Sequence, residues 1–344
     1  MDLLRKKASI LVYIGINYSK IGRFAEAETA YMEALEIYQD LALTHPDIYI
    51  PDVALTQNNL GILYANYKQD EKAEIAYQSA LTLRKYVAAQ DPETHLPDVA
   101  GTLNNQGLFF ISLRRFEEAK TALLEALRIR NNLAQNSPEM HLPDVADTRN
   151  NLGILYLNMN ESHKAEHQLG ESRKIYENLT EKDPVSYLPY VARTLNNLGN
   201  VYNDLNQFKK AHQNFNEALK IYKKQLCENH EPYLYEVAGT MNNLGILYNN
   251  LEQFSDAETA YQEALDIYDS LADMNSEAFS GDLAKVWYNK ACLESLRNNK
   301  EKSIEFLKTA LKLDDTCIFN ARSDEFFDKI RDSKEFQSII KNRL

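Results

Sequence analysis

The chain has 344 residues, with 50 acidic and 38 basic side chains and a formal net charge of −12. This balance repels polyanions, so the composition argues against a nucleic-acid partner and against an anionic membrane surface. The three cysteines, Cys227, Cys292 and Cys317, lack the spacing of a zinc site or a disulfide framework, which favours reduced thiols in the cytoplasm.

The N-terminal segment superficially resembles a secretion signal, because Arg5, Lys6 and Lys7 precede an apolar run over residues 10–16. Gly15 and Tyr18, however, keep the register of a repeat that continues along the chain. We therefore predict that this segment is the first helix of a repeat. No stretch approaches the roughly 20 apolar residues that span a bilayer.

One short sequence recurs at a spacing of 46 residues. It reads PDVALTQNNLGILY from Pro51, PDVAGTLNNQGLFF from Pro97, PDVADTRNNLGILY from Pro143, PYVARTLNNLGNVY from Pro189 and YEVAGTMNNLGILY from Tyr235, with degenerate copies from Arg5 and Gly281. Units of this length bury their apolar faces by stacking on their neighbours. The sequence thus predicts one solenoid domain over residues 1–344, with units that start near 5, 51, 97, 143, 189, 235 and 281.

Each unit is predicted to contain two helices. In the second repeat, residues 53–67 form the first helix, opened by Pro51 and Asp52, and residues 70–89 form the second helix. The second helix has apolar residues at the three-and-four spacing of one face, namely Ala73, Ala76, Tyr77, Ala80, Leu81 and Leu83. The prolines lie between or at the starts of repeats, so none is expected to interrupt a helix.

Glycine recurs in the middle of the first helix, where it costs about 1 kcal/mol relative to alanine. The positions are Gly15, Gly61, Gly107, Gly153, Gly199 and Gly245, and Ala291 takes the same place in the seventh unit. A residue without a side chain allows a neighbouring helix to approach closely. We expect these glycines to contact the second helix of their own unit.

The pattern Leu60, Gly61, Tyr64, Ala73, Tyr77 and Ala80 resembles the tetratricopeptide repeat, and the resemblance covers essentially the whole chain. The longer unit is similar to that of kinesin light chains and of bacterial and archaeal arrays; the extra residues are assigned to a longer second helix and to the loop around DPETHLPDVA. The resemblance implies an all-α fold, a right-handed α-α superhelix of helix-turn-helix repeats. It also implies C-terminal capping helices over residues 314–344, where the apolar residues are Phe326, Phe327, Ile330, Phe336, Ile339 and Ile340.

Charge is unevenly distributed within the unit, since residues 53–67 and 99–113 carry none and the second helices carry many. In the family the first helices line the concave face, so the resemblance implies a neutral groove. Asparagine, a poor residue for a helix interior, recurs there in pairs. The second of each pair matches the place that clamps ligand backbone in the family: Asn59, Asn105, Asn151, Asn197, Asn243 and Asn289.

The first asparagines of the pairs, Asn58, Asn104, Asn150 and Asn196, are weaker candidates for the same role, and Asn242 completes their series. An amide offers both a donor and an acceptor to an extended peptide. The alternative interpretation is that one amide of each pair bonds the neighbouring helix and fixes the stacking register. Asn66, Asn158 and Asn250 are predicted to extend this face, with Ile62, Leu108, Ile154 and Ile246 nearby.

Cations are scarce in this row, where Arg149 and Arg193 are the candidate contacts to an acidic ligand residue. In the family, lysine and arginine side chains clamp the C-terminal carboxylate of a ligand, but the matching places here hold Leu55, Gly101, Asp147, Arg193 and Gly239. This difference argues against a receptor for chaperone tails. His163 and His167 lie four residues apart on a charged helix with no third ligand, so we interpret them as solvated. No phosphate loop or nucleophile motif is present, and the sequence predicts neither an enzyme nor a cofactor or metal.

The first functional hypothesis is a non-catalytic scaffold that binds a peptide segment of a partner protein in the asparagine-lined groove. The second is a regulatory arm that assembles with a separate protease or nucleotide-driven switch, or that self-associates through its N-terminal repeat. That end carries the apolar residues Ile10, Leu11 and Ile14. A sensor of a small ligand is a third alternative.

Overall fold

The computed structural model describes residues 2–227, 233–272 and 276–341, and the chain divides into two compact units, residues 1–179 and 180–344. Helices of the first unit are α1 (Asp2–Lys20), α2 (Phe24–Thr44), α3 (Pro46–Asn66), α4 (Asp70–Ala88), α5 (Pro92–Ser112), α6 (Phe116–Asn136), α7 (Pro138–Asn158) and α8 (Ser162–Thr180). Each odd-numbered helix pairs with the next. The described residues contain no strand, and the all-α repeat architecture is confirmed.

The second unit continues the same alternation and then closes it. Its helices are α9 (Pro184–Asp204), α10 (Phe208–Cys227), α11 (Leu234–Asn250), α12 (Phe254–Ala272), α13 (Ser276–Leu296) and α14 (Lys300–Leu313), followed by α15 (Cys317–Ala321), a 3-10 turn (Glu325–Phe327) and α16 (Lys334–Lys341). Below, "first helices" means the odd-numbered helices α1–α13, and "second helices" means the even-numbered helices α2–α14.

The repeated glycines determine how closely the two helices of a pair approach. A Cβ atom at Gly61 would lie 2.7 Å from Cδ1 of Tyr77, and one at Gly153 would lie 2.4 Å from Cγ of Leu169. Both distances are well inside van der Waals contact, so only glycine fits without moving the second helix. The prediction that these glycines contact their paired helix is confirmed. Ala291, fully buried, holds the equivalent place against α14.

The first helices begin earlier than predicted. Helix α3 starts at Pro46, and Pro51 lies inside it; Pro97, Pro143 and Pro189 lie inside α5, α7 and α9 in the same way. The prediction that these prolines lie between or at the starts of the helices was therefore wrong, although each helix continues through its proline without a break. The loop predicted around DPETHLPDVA was also wrong, because the helix already starts at Pro92. Each internal proline removes one backbone hydrogen bond near the N-terminus, and the added turn buries Tyr49 in α3 and His141 in α7.

Each first helix ends in the same backbone turn. The residue after its last turn adopts the left-handed region, with φ of 55° at Lys68 and 58° at Arg114, for example. The next amide then reaches back to the helix, as when the N–H of Gln69 donates to the carbonyl of Tyr64 at 2.9 Å. This turn reverses the chain within three residues and sets the second helix beside the first.

The C-terminal residues cover the last helical pair. Phe327 and Phe336 are almost fully buried in one core with Tyr288 of α13 and Leu307 of α14, and Ile340 packs at its edge. Tyr288 also donates its hydroxyl hydrogen to the Asp324 carboxylate at 2.7 Å. The predicted cap is confirmed up to residue 341, and residues 342–344 lie outside the described part of the chain.

The glycine contact predicts unequal effects of one substitution at two sites. Gly153→Ala should lower the stability by about 1–3 kcal/mol, because the methyl group overlaps Leu169. Gly101→Ala should instead be neutral or stabilising by up to about 1 kcal/mol, because its Cβ would meet nothing closer than Arg84 Nη1 at 3.9 Å. Thermal unfolding of the two variants followed by circular dichroism measures the difference. Equal shifts would contradict the packing described here.

Candidate functional site

One stripe of each first helix is left uncovered by the second helices. In α3 it contains Leu55, Asn59, Ile62 and Asn66, which are spaced four, three and four residues apart and so lie on one face. The equivalent residues of α5 are Gly101, Asn105, Leu108 and Ser112, and those of α7 are Asp147, Asn151, Ile154 and Asn158. Leu55 is 42% exposed and Leu108 is 40% exposed. We call this surface the asparagine face.

Asparagine side chains link successive first helices by hydrogen bonds. Nδ2 of Asn151 donates to Oδ1 of Asn104 at 3.0 Å, and Nδ2 of Asn105 donates to Oδ1 of Asn58 at 3.3 Å. In the second unit, Asn243 donates to Asn196 at 3.1 Å and Asn289 donates to Asn242 at 2.9 Å. The second asparagine of one repeat therefore bonds the first asparagine of the preceding repeat, and we call this series the asparagine ladder.

The ladder uses the two amides of a pair differently. The first asparagines Asn58, Asn104 and Asn150 are at most 6% exposed, so they have almost no surface to offer a ligand, and the second asparagine Asn151 is equally buried at 5%. The second asparagines Asn59, Asn105 and Asn243 are half-buried on the asparagine face, as are the first asparagines Asn196 and Asn242 of the second unit. An amide has two donor hydrogens and one acceptor oxygen, so a ladder bond leaves one N–H and the oxygen of the second asparagine for other partners. Asn197 lies at the equivalent position of α9.

The outer row of asparagines is less uniform than the repeat suggests. Asn66 and Asn158 are exposed, and Nδ2 of Asn158 donates back to the carbonyl of Ile154 at 2.8 Å. Asn250 donates instead to Oδ1 of Asn203 at 3.0 Å, which adds a second link between α9 and α11.

The two candidate arginines are in different places. Nη1 of Arg149 donates to Oε1 of Gln168 on α8 at 2.9 Å, so Arg149 lies toward the second helix and not on the asparagine face. The reason is helical geometry, since Arg149 is two residues from Asp147 and thus on the other side of α7. Arg193 does lie in the stripe register, with its guanidinium 5.1 Å from the centre of the Tyr190 ring. Lys285 of α13 occupies the same register and was not predicted.

A cavity of about 220 Å³ opens on the asparagine face of the second unit. Gly239, Glu236 and Tyr235 of α11 form one side, and Asp282 and Lys285 of α13 form the other. The amides Asn196, Asn242 and Asn243, together with Thr240, Tyr268 and Val286, complete the lining. Two of these residues, Asn196 and Asn243, are themselves a bonded pair of the ladder.

The acidic groups of this cavity are partly withdrawn from water. Burial raises the pKa of Glu236, and the nearby charge of Arg193 opposes this shift without cancelling it. Burial also raises the pKa of Tyr235, and its hydrogen bond to Asp282 adds to the effect. Lys285 Nζ lies 2.9 Å from the Asp282 carboxylate, but the lysine side chain is 70% exposed and the pair is screened by solvent.

Sequence reasoning missed Glu236, Asp282, Tyr235 and Tyr268, because it compared the paired asparagines from repeat to repeat and not the positions before them. A comparison of those positions in the 46-residue register could have found them. Arg84 and Arg130 face Asp98 and Asp144, whereas a tyrosine takes the arginine position beside Asp52 in the first unit and beside Glu236 and Asp282 in the second.

The histidine pair is a surface feature. The side chain of His163 is 86% exposed and its Nδ1 lies 3.9 Å from Glu166. Over the described ranges, no three His, Cys, Asp or Glu side chains are grouped so that they could hold a metal ion. Within those same ranges, no helix is long and apolar enough to cross a membrane.

The fold and the ladder define a helical-repeat protein that stacks two-helix units through their first helices. Models of the tetratricopeptide repeat match residues 6–85, 100–133, 145–184, 180–224, 237–270 and 284–317. The chain belongs to the tetratricopeptide repeat family.

Solved structures share the fold at low sequence identity. The apo form of RapI is 17% identical, with a TM-score of 0.64 over 90% of this chain and 98% of that one. The Rap conjugation gene regulator of plasmid pLS20, solved with the Phr* peptide, is 15% identical with a TM-score of 0.61 over 89% and 73%. BtubC (BKLC) from P. vanneervenii is 20% identical with a TM-score of 0.52 over 72% and 92%. No protein of curated function matches the sequence.

The ladder predicts that two asparagines in the same register differ in their contribution to stability. Asn151→Ala should destabilise the protein by about 1–3 kcal/mol, because Oδ1 of the buried Asn104 loses its donor. Asn59→Ala should change stability by less than about 0.5 kcal/mol, because the residue one repeat earlier is Val12 and offers no amide. Urea unfolding measures both. A larger loss for Asn59→Ala would show that the ladder does not stabilise the stacking.

Proposed function

We propose that the protein is a non-catalytic interaction module that binds a peptide segment of a partner protein on its asparagine face. The observation that carries the proposal is the alternation of half-buried amides with aliphatic side chains along a stripe of α3 and α5 that carries no charge. In α3, Asn59 lies between Leu55 and Ile62, and in α5, Asn105 lies next to Leu108. Amides can bond a peptide backbone, and aliphatic side chains can receive its apolar side chains.

The ladder strengthens this proposal for the second asparagines. Asn105, Asn243 and Asn289, which are half-buried, each give one N–H to the preceding repeat, which fixes the orientation of the remaining N–H and oxygen. Asn151 makes the same bond but is only 5% exposed. Groups held in place before binding lose less conformational entropy when a ligand binds. The Rap regulator of plasmid pLS20, which was solved with a peptide, has the same fold and is consistent with this role. We also propose that the protein acts in the cytoplasm.

A display library of random dodecapeptides tests the proposal. Peptides enriched on the wild-type chain should bind at least about 10-fold more weakly to Leu108→Arg, in the first unit, or to Ile246→Arg, in the second, because an arginine in the stripe fills space between the amides. The measurement is fluorescence anisotropy with each enriched peptide.

The matched control is Ile75→Arg, which makes the same kind of change at a 68% exposed residue of the second helix α4. Its affinity should stay within about 2-fold of the wild type, since it lies away from the asparagine face. Peptides that lose affinity for Ile75→Arg but bind both stripe variants normally would move the site to the second helices and contradict the proposal.

A second candidate function is self-association through α1, as an arm that assembles with a further copy or with an effector domain. Ile10 is 59% exposed, whereas Thr56, in the same register of α3, is fully buried. Leu3 is likewise 82% exposed, whereas Tyr49 in its register is 6% exposed. A helix face that is covered in later repeats is thus open at α1, and exposed apolar patches commonly mark interfaces.

Sedimentation velocity over a 100-fold concentration range tests the second candidate. If α1 mediates association, the wild type should form dimers at micromolar concentration and Ile10→Glu should remain monomeric, because a carboxylate would be buried in the interface. Ile75→Glu changes a somewhat more exposed isoleucine of α4 and should leave the dimer intact. A wild type that is monomeric throughout would eliminate this candidate.

A further inference from the structure

The cavity at Gly239 differs from the rest of the asparagine face in the groups that lie beneath it. Leu55 in α3, Asp147 in α7 and Arg193 in α9 place a larger side chain at this register, whereas α5 has a glycine there, Gly101, with Arg84 Nη1 3.9 Å from its Cβ position. Glycine leaves that space open in α11, and a Cβ atom there would lie 3.5 Å from the Tyr268 hydroxyl. The opening reaches from the surface to the tyrosine and carboxylate groups beneath it.

Two repeats of the first unit show how the same acidic position is neutralised, whereas Asp52, one repeat earlier, has Tyr38 in place of the arginine. Arg84 is 6% exposed, and its Nη1 donates to the carbonyl of Asp98 at 2.8 Å and to Thr102 Oγ1 at 2.7 Å. Its Nη2 lies 3.9 Å from the Asp98 carboxylate. Arg130 repeats this arrangement with the Asp144 carbonyl and Thr148. Each of these acidic residues therefore has a buried guanidinium beside it.

In the second unit the arginines are replaced and the acids remain. Tyr222 and Tyr268 stand where Arg84 and Arg130 stand three repeats earlier, and Glu236 and Asp282 stand where Asp98 and Asp144 stand. A tyrosine cannot neutralise a carboxylate. The charge of Glu236 also reaches Tyr222. The Tyr222 hydroxyl is buried, with the residue 1% exposed, and it makes no hydrogen bond.

The charges that remain near the cavity do not replace the missing guanidinium groups. Arg193 acts on Glu236, yet the pKa of Glu236 stays above its ordinary value because burial outweighs that charge. Lys285 bonds Asp282 from the solvent side. The cavity thus combines two carboxylates, two tyrosines and three amides around a space of about 220 Å³.

We propose that this cavity binds the guanidinium group of an arginine side chain in the peptide that the asparagine face of the second unit holds; the inference rests on the proposed peptide-binding function. A guanidinium is planar, bonds carboxylates through several N–H groups and stacks on aromatic rings. The ligand's guanidinium would give Glu236 and Asp282 the positive charge that Arg84 and Arg130 give Asp98 and Asp144 in the first unit. Asn243, on the cavity wall, bonds the peptide backbone next to that side chain.

The same dodecapeptide library provides the test, with arginine frequency as the readout. Peptides enriched on the wild type should carry arginine at one aligned position. For such a peptide, Glu236→Gln with Asp282→Asn should weaken binding by roughly 10- to 100-fold, the range that a hydrogen bond to a charged group implies. Replacing the peptide arginine with citrulline, which keeps the shape and removes the charge, should have a similar effect on the wild type and little effect on the variant.

The controls separate binding from folding. Asp98→Asn with Asp144→Asn alters the equivalent acids of the first unit, which have their own arginines, and should leave the arginine preference unchanged. Glu236→Gln should be at least as stable as the wild type at pH 7. With its raised pKa, the folded protein holds the Glu236 proton more readily than the unfolded chain, so stability falls as pH rises through that pKa, and the amide avoids this loss.

The outcomes distinguish this inference from the function on which it rests. An enriched pool without an aligned arginine, or an arginine peptide that binds the Glu236→Gln and Asp282→Asn variant normally, would overturn the cavity assignment and leave peptide binding standing. A library that yields no enriched peptide at all would overturn both.

Discussion

The contact between a glycine and the large side chain opposite it sets the geometry on which the other features depend. Gly107 meets Leu123 and Gly199 meets Phe215, each at a distance where a methyl group would not fit. Because the contact recurs once per repeat, the two helices of every pair approach each other to a similar depth. The asparagines lie only two and three residues before the glycine, so their positions are fixed by the same contact.

The ladder follows from that regularity. Side-chain hydrogen bonds require the donor and acceptor to be within a few tenths of an ångström of their preferred separation. Four bonds of 2.9–3.3 Å recur between successive first helices, two in each compact unit. A buried amide without a partner would cost about 1–3 kcal/mol, so the ladder also penalises any slip between repeats. The two amides of a pair are consequently not equivalent, because the first gives its oxygen to the following repeat, whereas a half-buried second asparagine such as Asn105 keeps one N–H and its oxygen for a ligand.

Much of the fold could be predicted from the sequence because the repeat displays its own periodicity. The buried residues Ala73, Ala76, Tyr77, Ala80 and Leu81 follow from helical spacing alone. The start of the first helices could not be predicted in the same way. Proline at position 51 is a local signal for a helix start, but the burial of Tyr49 by a further turn is a tertiary effect that local signals do not contain.

Only part of the candidate site could be predicted by the same reasoning. The register of the paired asparagines predicted the asparagine face, but not which amide bonds the neighbouring repeat, since that depends on the offset between helices. Arg149 was grouped with Arg193 although helical geometry separates them. Arg84, a buried charge on a helix that otherwise buries apolar groups, was not anticipated, because arginine is rarely fully buried without a partner and the partner lies in the next helix.

The departures from the repeat are physically more informative about ligand chemistry than the repeat itself. Features present in every unit are explained by stacking, which every unit must achieve. Stacking does not require Tyr222 and Tyr268 to stand where Arg84 and Arg130 stand. Tyr38 beside Asp52 is the same combination in the first unit, and burial raises the pKa of Asp52 as well, but Leu55 occupies the register that Gly239 leaves open beside Glu236. Burying a carboxylate that no guanidinium neutralises costs stability, and at Glu236 the open register would admit a cationic ligand that offsets this cost.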